Sequence, residues 1–333
     1  MSLGDRFDNE YELDNRTLDD LLSERPRLKS ARKFFLCQKN LDLEGLLRFY
    51  RGWRDLNEYG VMQRLDDDGI GRKKEFIAVK CSKRGNDVYQ SRIRNRFGLI
   101  ERFGKDVEFF SFHEDRPIVS VLFVTLTWRG VGSLSESWEN NGIMFNRWIN
   151  NLRWKYGALS YVRSWEATER GYAHVHLMIL FHEARFHGFK TINDEGELVW
   201  RIEEKSEFEK GWPFFIDVRA PRSWGAVVRY IKKRALYGTD KADDADIGDR
   251  TLALMFLFRK RSFALSIDLL AKLGDLIASL HNSKLDQAKL LEGFVKKWAW
   301  IGVYTADELG LDGSEWAAEL KDPPYYERKE GYS

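Results

Sequence analysis

Trp165-Glu-Ala-Thr-Glu-Arg-Gly-Tyr-Ala-His-Val-His-Leu-Met-Ile-Leu-Phe181 decides the fold. Its second half, Ala173 to Phe181, is apolar and reads as a strand, and Tyr161 to Glu166 reads as another. The six residues between, Ala167 to Tyr172, include Gly171, which suits a short hairpin loop, so the two strands are expected to run antiparallel. His174 and His176 flank Val175, and strand alternation puts both imidazoles on one face, close enough to share a metal ion. The strand beyond them is apolar on both faces, so two buried imidazoles need partners, and a cation would supply one. If Glu166 pairs across the hairpin from His174, the loop is three to five residues long and Glu166 joins the histidine face. Two imidazoles and a carboxylate suit Mg²⁺, Mn²⁺ or Zn²⁺ and leave positions open for substrate oxygens. The plainer alternative is that Glu166 hydrates a strand end, since a register slip of one residue would turn it away.

Working outward, Ile118 to Thr127 (IVSVLFVTLT) is β-branched and uninterrupted, the pattern of a central strand. Ser133 followed by Glu136 forms a capping-box pattern. Trp138, Phe145, Trp148, Ile149 and Leu152 then share one face of a helix ending near Gly157. After the hairpin, a polar excursion over 182–210 leads to a strand at Pro213 to Arg219, a helix at Ser223 to Tyr237 and an acidic loop at 238–249. The order βαββ, insertion, βα predicts an α+β domain with a central antiparallel sheet and flanking helices. On the last helix Tyr230 and Lys233 stand three residues apart and share a face. A phenol is a weak nucleophile at neutral pH, so attack by Tyr230 needs a Lewis acid or a nearby cation such as Lys233. The same spacing recurs at Tyr326 and Lys329 after Pro323-Pro324, outside any patterned helix, so Tyr230 is the stronger candidate. Tyr237, two turns on, fits a second nucleophile or a packing residue equally.

The flanks read differently. Residues 1–24 are acidic and poor in large apolar groups, and Leu28 to Tyr50 carries two amphipathic helices. Between Gly71 and Lys105 stand eleven Lys or Arg, a basic patch suited to phosphate contacts. From Thr251 the spacing of Phe263 to Ile277 and of Leu290 to Trp300 predicts helices. The expected division is an N-terminal, mainly helical, basic region at 1–110, a catalytic domain at 111–240 and a C-terminal helical region at 250–333. The 333 residues are 43% hydrophobic and 32% charged, which excludes a disordered chain, while the net charge of +2 leaves the partner to be decided by local charge. Two cysteines, Cys37 and Cys81, exclude a disulfide framework and fit a reducing cytoplasm. The N-terminus carries no basic-then-apolar signal, and no run approaches the ~20 apolar residues of a membrane span. There is no phosphate-binding Gly-rich loop ending in Lys-Ser/Thr, so no fused helicase is expected.

Phe123-Val-Thr-Leu-Thr127, the Ala173-His-Val-His-Leu177 strand and Val228-Arg-Tyr-Ile-Lys-Lys233 together resemble the HUH endonuclease superfamily. In more detail they look like the rolling-circle replication initiators of archaeal-type plasmids and viruses, where the tyrosine follows the histidine pair. The resemblance covers about residues 115 to 265 and extends weakly to Lys80-Cys-Ser-Lys-Arg-Gly-Asn-Asp-Val-Tyr89 and Arg261-Ser-Phe-Ala-Leu-Ser266. It implies an HUH palm of ferredoxin-like type, with Glu166, His174 and His176 holding Mg²⁺ or Mn²⁺, Tyr230 as nucleophile and Lys233 beside it. The implied reaction is nicking and rejoining of single-stranded origin DNA, free or exposed in a hairpin, through a 5′-phosphotyrosine. A host polymerase and helicase would then extend and unwind. Where two-tyrosine members carry a second tyrosine four residues after the first, this chain has Arg234, so a single-tyrosine enzyme is implied. Lys83, Arg84, Arg92, Arg94 and Arg96 in the basic patch, with Trp128 and Arg129 beyond the first motif, are the expected DNA contacts. Thr125 and Thr127 are expected to shape the strand beneath the metal. The competing readings are an HUH-type transposase, a non-catalytic nucleic-acid-binding protein with structural histidines, and a metal-dependent hydrolase using water.

Overall fold

The structure, a computed structural model, describes residues 28–64, 75–103, 110–111, 118–128, 132–193, 196, 198–221, 224–239, 245–269 and 298–320. In chain order the elements begin with α1 (Leu28–Leu36), α2 (Leu43–Asp55), β1 (Glu58–Arg64), β2 (Phe76–Lys80) and α3 (Asp87–Phe103). The middle of the chain forms β3 (Phe110–Ser111), β4 (Ile118–Val119), β5 (Val121–Thr127), α4 (Leu134–Tyr156), β6 (Leu159–Ala167) and β7 (Ala173–Phe181). There follow β8 (Phe186–Ile192), β9 (Leu198–Ile202), α5 (Lys205–Glu209), β10 (Phe215–Arg219), α6 (Trp224–Tyr237) and α7 (Ala245–Leu257). The last are β11 (Phe263–Leu265), β12 (Trp298–Thr305), α8 (Ala306–Leu309) and β13 (Ala317–Leu320). These residues fall into two compact units, one within 1–52 and 92–276 and the other within 53–91 and 277–333.

The larger unit is built on a five-stranded antiparallel sheet in the order β10-β5-β7-β6-β11. The fold is therefore α+β with a central antiparallel sheet and flanking helices, in the expected βαββ, insertion, βα order. Strand alternation sends Tyr161, Arg163 and Trp165 to one face, where α4 covers them through Trp138 and Phe145. α4 starts where its sequence says it should: Ser133 accepts from the Glu136 amide, and the Glu136 side chain reaches back to the Ser133 N–H. The same helix pins the β6–β7 hairpin. Trp138 Nε1 donates to the Gly171 carbonyl at 2.8 Å, and the Ala173 N–H donates to Ser137 Oγ at 3.1 Å.

That loop sets the register of the whole site. Gly171 sits at φ +86°, and a Cβ there would stand 2.6 Å from Leu134 Cδ1. Gly171→Ala is expected to cost about 1–2 kcal/mol from the left-handed backbone alone, lowering the melting temperature by several degrees in calorimetry.

The insertion between β7 and β10 carries β8 and β9, which pair with each other, and β8 also pairs with β4. The smaller unit is a second antiparallel sheet, β12-β1-β2-β13, around Tyr59, Val61, Ala78 and Tyr304. Here the structure corrects the helical expectation for both chain ends. β1 and β2 lie inside the N-terminal region, and Trp298–Thr305 is a strand although Leu290 to Trp300 has helical spacing. Phe263–Leu265 is a strand as well, added to the edge of β6. The reason is pairing: Trp-Ala-Trp-Ile-Gly-Val-Tyr-Thr is aromatic and β-branched, and β1 offers it a complete ladder from Glu58↔Thr305 to Arg64↔Trp298. Among the described residues no helix is long and apolar enough to cross a membrane.

Candidate active site

Neighbouring strands carry two polar rows on the sheet face opposite α4. In the first row Thr127, His174 and Glu166 are direct cross-strand partners, and in the second Asp217, Thr125, His176 and Ser164 are. The hairpin register is therefore the one that joins Glu166 to the two imidazoles, with five residues in the turn. One ligand atom from each of Glu166, His174 and His176 lies within 4.8 Å of the others. His176 Nε2 faces Glu166 Oε2 at 2.6 Å, and its Nδ1 lies 3.2 Å from Thr125 Oγ1. His174 Nε2 lies 3.2 Å from Thr127 Oγ1. The threonines expected beneath the metal thus hold the ring orientations, which is how protein hydroxyls and carboxylates commonly set a ligating imidazole. Glu166 is itself held, since Thr251 Oγ1 of α7 accepts from the neighbouring Ala167 N–H at 2.9 Å.

Both imidazoles are neutral at physiological pH. Burial, reinforced by His176 and Arg234 and opposed by Glu166, pushes His174 down to about 3, and burial with the Arg234 and Arg219 guanidiniums pushes His176 well below its usual value. Neutral nitrogens converging with a buried carboxylate are a donor set that fits a divalent cation. The buried Glu166–His174–His176 cluster can hold one.

α6 brings Tyr230 onto this cluster. Its ring meets His176 edge to face at 5.3 Å and Phe123 at 4.9 Å. Both Tyr230 and the three candidate ligands line one cavity of about 630 Å³, together with Asp217, Arg219 and Arg234. Lys233 is exposed and lies outside this lining. The buried face of α6 runs through Val227, Ile231 and Arg234, and at 100° per residue Lys233 projects nearly opposite it, so the i+3 spacing overstated its proximity. The cation at the tyrosine is Arg234, 3% exposed, its guanidinium 3.4 Å from the Tyr230 ring centre and its Nε 3.0 Å from Glu166 Oε2. The signal for it was present in the sequence as an arginine on the apolar stripe of a helix. Asp217, 8% exposed and paired with Arg201 and Arg219, was also missed; its place in Phe-Ile-Asp-Val-Arg puts it on the histidine face once β10 pairs with β5.

The expected DNA contacts divide. Arg92, Arg94 and Arg96 are exposed on α3, and Arg94 Nη2 donates to the Tyr237 hydroxyl at 3.3 Å. Tyr237 is 45% exposed and outside the cavity lining, so it stands apart from Tyr230. Arg84 is half-buried. Lys83 is corrected: it is 3% exposed, paired with Glu58 at 2.9 Å, and donates to the Trp53 and Leu56 carbonyls at the end of α2. It closes a helix terminus and does not face solvent. Trp128 is buried against Phe214, ring centres 4.5 Å apart, with part of its surface on the cavity. Arg129 lies outside the described residues.

A family model described as a replication-associated protein of the ORF2 kind matches residues 121–235. That span runs from β5 to α6 and contains every residue of the candidate centre, so the similarity supports a replication initiator. No curated protein and no solved structure shows a significant match.

Proposed function

We propose that this protein is a rolling-circle replication initiator whose domain at 111–240 nicks and rejoins single-stranded origin DNA through a covalent link to Tyr230. The observation that carries the reading is the convergence of Glu166, His174 and His176 within 4.8 Å, with the Tyr230 ring edge-on to His176. A Mg²⁺ or Mn²⁺ ion held by these three would polarise a non-bridging oxygen of the scissile phosphate. Tyr230 Oη attacks phosphorus and loses its proton to solvent. The bond from phosphorus to the 3′ oxygen breaks, that oxygen takes up a proton, and the DNA 5′ phosphate stays on the tyrosine. The 3′-hydroxyl is then a primer for a host polymerase, with a host helicase unwinding ahead. Attack of a 3′-hydroxyl on the phosphotyrosine reverses the step without ATP.

Arg234 supports the chemistry from two sides. Its guanidinium holds Glu166 and covers the face of the Tyr230 ring, where a cation attracts charge developing on the phenol. Exposed Arg92, Arg94 and Arg96 supply phosphate contacts on α3. A transposase would use the same residues on transposon ends, and the match to a replication-associated family favours the initiator.

Incubation with single-stranded DNA and Mn²⁺ is expected to give a protein–DNA adduct that survives denaturing electrophoresis and disappears when EDTA is present. Cleavage without an adduct would instead establish a water-using hydrolase. In the same buffers Mn²⁺ at 100 times its Kd adds about 2.7 kcal/mol of stability, a melting shift of several degrees. His174→Ala combined with His176→Ala should abolish that shift; an unchanged shift would place the ion elsewhere.

A further inference from the structure

The β8–β9 insertion is left without a role by the catalytic centre, yet it walls a second cavity of about 580 Å³. The two cavities share Phe215, Asp217 and Arg219 of β10, so they form one continuous surface. Three apolar side chains stand open to solvent at the second cavity: Phe189 at 39%, Ile192 at 69% and Phe215 at 45%. An aromatic ring that remains nearly half exposed beside a polar, cation-rich centre loses hydration only when something flat covers it.

The floor is rigid. Asp217 is clamped between the guanidiniums of Arg201 and Arg219, and Arg219 Nε donates to its Oδ2 at 2.6 Å. Asp217 is also the cross-strand partner of Thr125, which holds the His176 ring. Thr191 and Asn193 add hydroxyl and amide groups able to read a base edge. A volume of this size accommodates a nucleotide-sized ligand.

We infer that this groove binds an unpaired nucleotide next to the scissile phosphate, its base stacked on Phe215 and Phe189. The inference rests on the nicking reading for its orientation, because a strand with its phosphate at Tyr230 and the candidate metal ligands meets Phe215 where the cavities join. Stacking on two phenyl rings tolerates any base, whereas Thr191 and Asn193 on the hairpin would confer preference at that one position.

The test uses the full chain carrying Tyr230→Phe, which leaves the DNA uncut, with a roughly 20-nucleotide random single strand containing 5-bromouracil. Irradiation and mass spectrometry are expected to place crosslinks on Phe189 or Phe215. Phe189→Ala and Phe215→Ala should each weaken binding about tenfold, and Phe215→Trp should restore it. Crosslinks confined to other segments, or affinities of both alanine variants within about twofold of the parent, would overturn the groove. Failure of the wild-type chain to form an adduct, with these crosslinks present, would remove the nicking reading and leave the groove as a single-strand binding site. An adduct with unchanged affinities would do the reverse.

Discussion

Tyr230→Phe is expected to eliminate the covalent protein–DNA adduct while leaving single-strand affinity within about twofold. The substitution removes one oxygen and nothing else. The ring keeps its edge contacts with His176 and Phe123 and its place under the Arg234 guanidinium, so the fold and the cavity wall survive. What disappears is, among the described residues, the one phenol in the cavity whose ring packs on a candidate metal ligand. Tyr172 also lines the cavity, but its hydroxyl donates to the Gly132 carbonyl at 3.4 Å. Thr125 and Thr127 are occupied in holding the imidazoles, and Thr239 lies on the loop beyond α6. Losing a nucleophile costs on the order of 10⁴ or more in rate, so the residual should fall below detection on a denaturing gel. A persistent adduct would transfer the role to another residue, with Tyr172 and Tyr237 the first to examine. Cleavage that continues without an adduct would show that water, not a phenol, attacks.

The site was legible where its information is local. Period-two alternation put His174 and His176 on one face, and a short turn containing Gly171 fixed the pairing of Glu166 with His174. The capping box at Ser133 likewise marked the start of α4 to the residue. Legibility failed where the partner is distant in sequence. Lys83 looked like one cation among many in a basic stretch, and only the fold shows that it caps α2 and meets Glu58. Trp298–Thr305 looked helical because an apolar run has no intrinsic commitment, and β1, far earlier in the chain, decides it. At α6 the error was finer. Lys233 and Arg234 are neighbours in sequence, but a rotation of 100° sends one to solvent and the other into the site.

That rotation has an electrostatic consequence. Arg234 and Glu166 balance one another as the site stands, with side chains only 4% and 11% exposed. A divalent ion on Glu166, His174 and His176 would bring the local charge to +2, and a phosphodiester together with a phenolate would return it to zero. The arginine therefore serves the unloaded protein as a counter-ion and the reacting complex as part of a matched set of charges. Arg234→Met, similar in length and without charge, is expected to leave the Glu166 carboxylate buried without its guanidinium. Removing one member of such a pair costs about 3 kcal/mol, partly relieved here by His176, and should lower the melting temperature by roughly 5–10 °C. Saturating Mn²⁺ should then stabilise the variant more than the parent, because the ion takes over the vacated role and no longer repels a guanidinium. Adduct formation should nevertheless fall about a hundredfold, since the ring of Tyr230 has lost the cation on its face. Arg234→Lys should recover much of the stability and less of the rate, because an ammonium can neutralise Glu166 but cannot lie flat on the phenol. Equal Mn²⁺ shifts in parent and variant, measured by calorimetry at one protein concentration, would mean that Arg234 and the ion do not share Glu166, and the charge argument would fall with them.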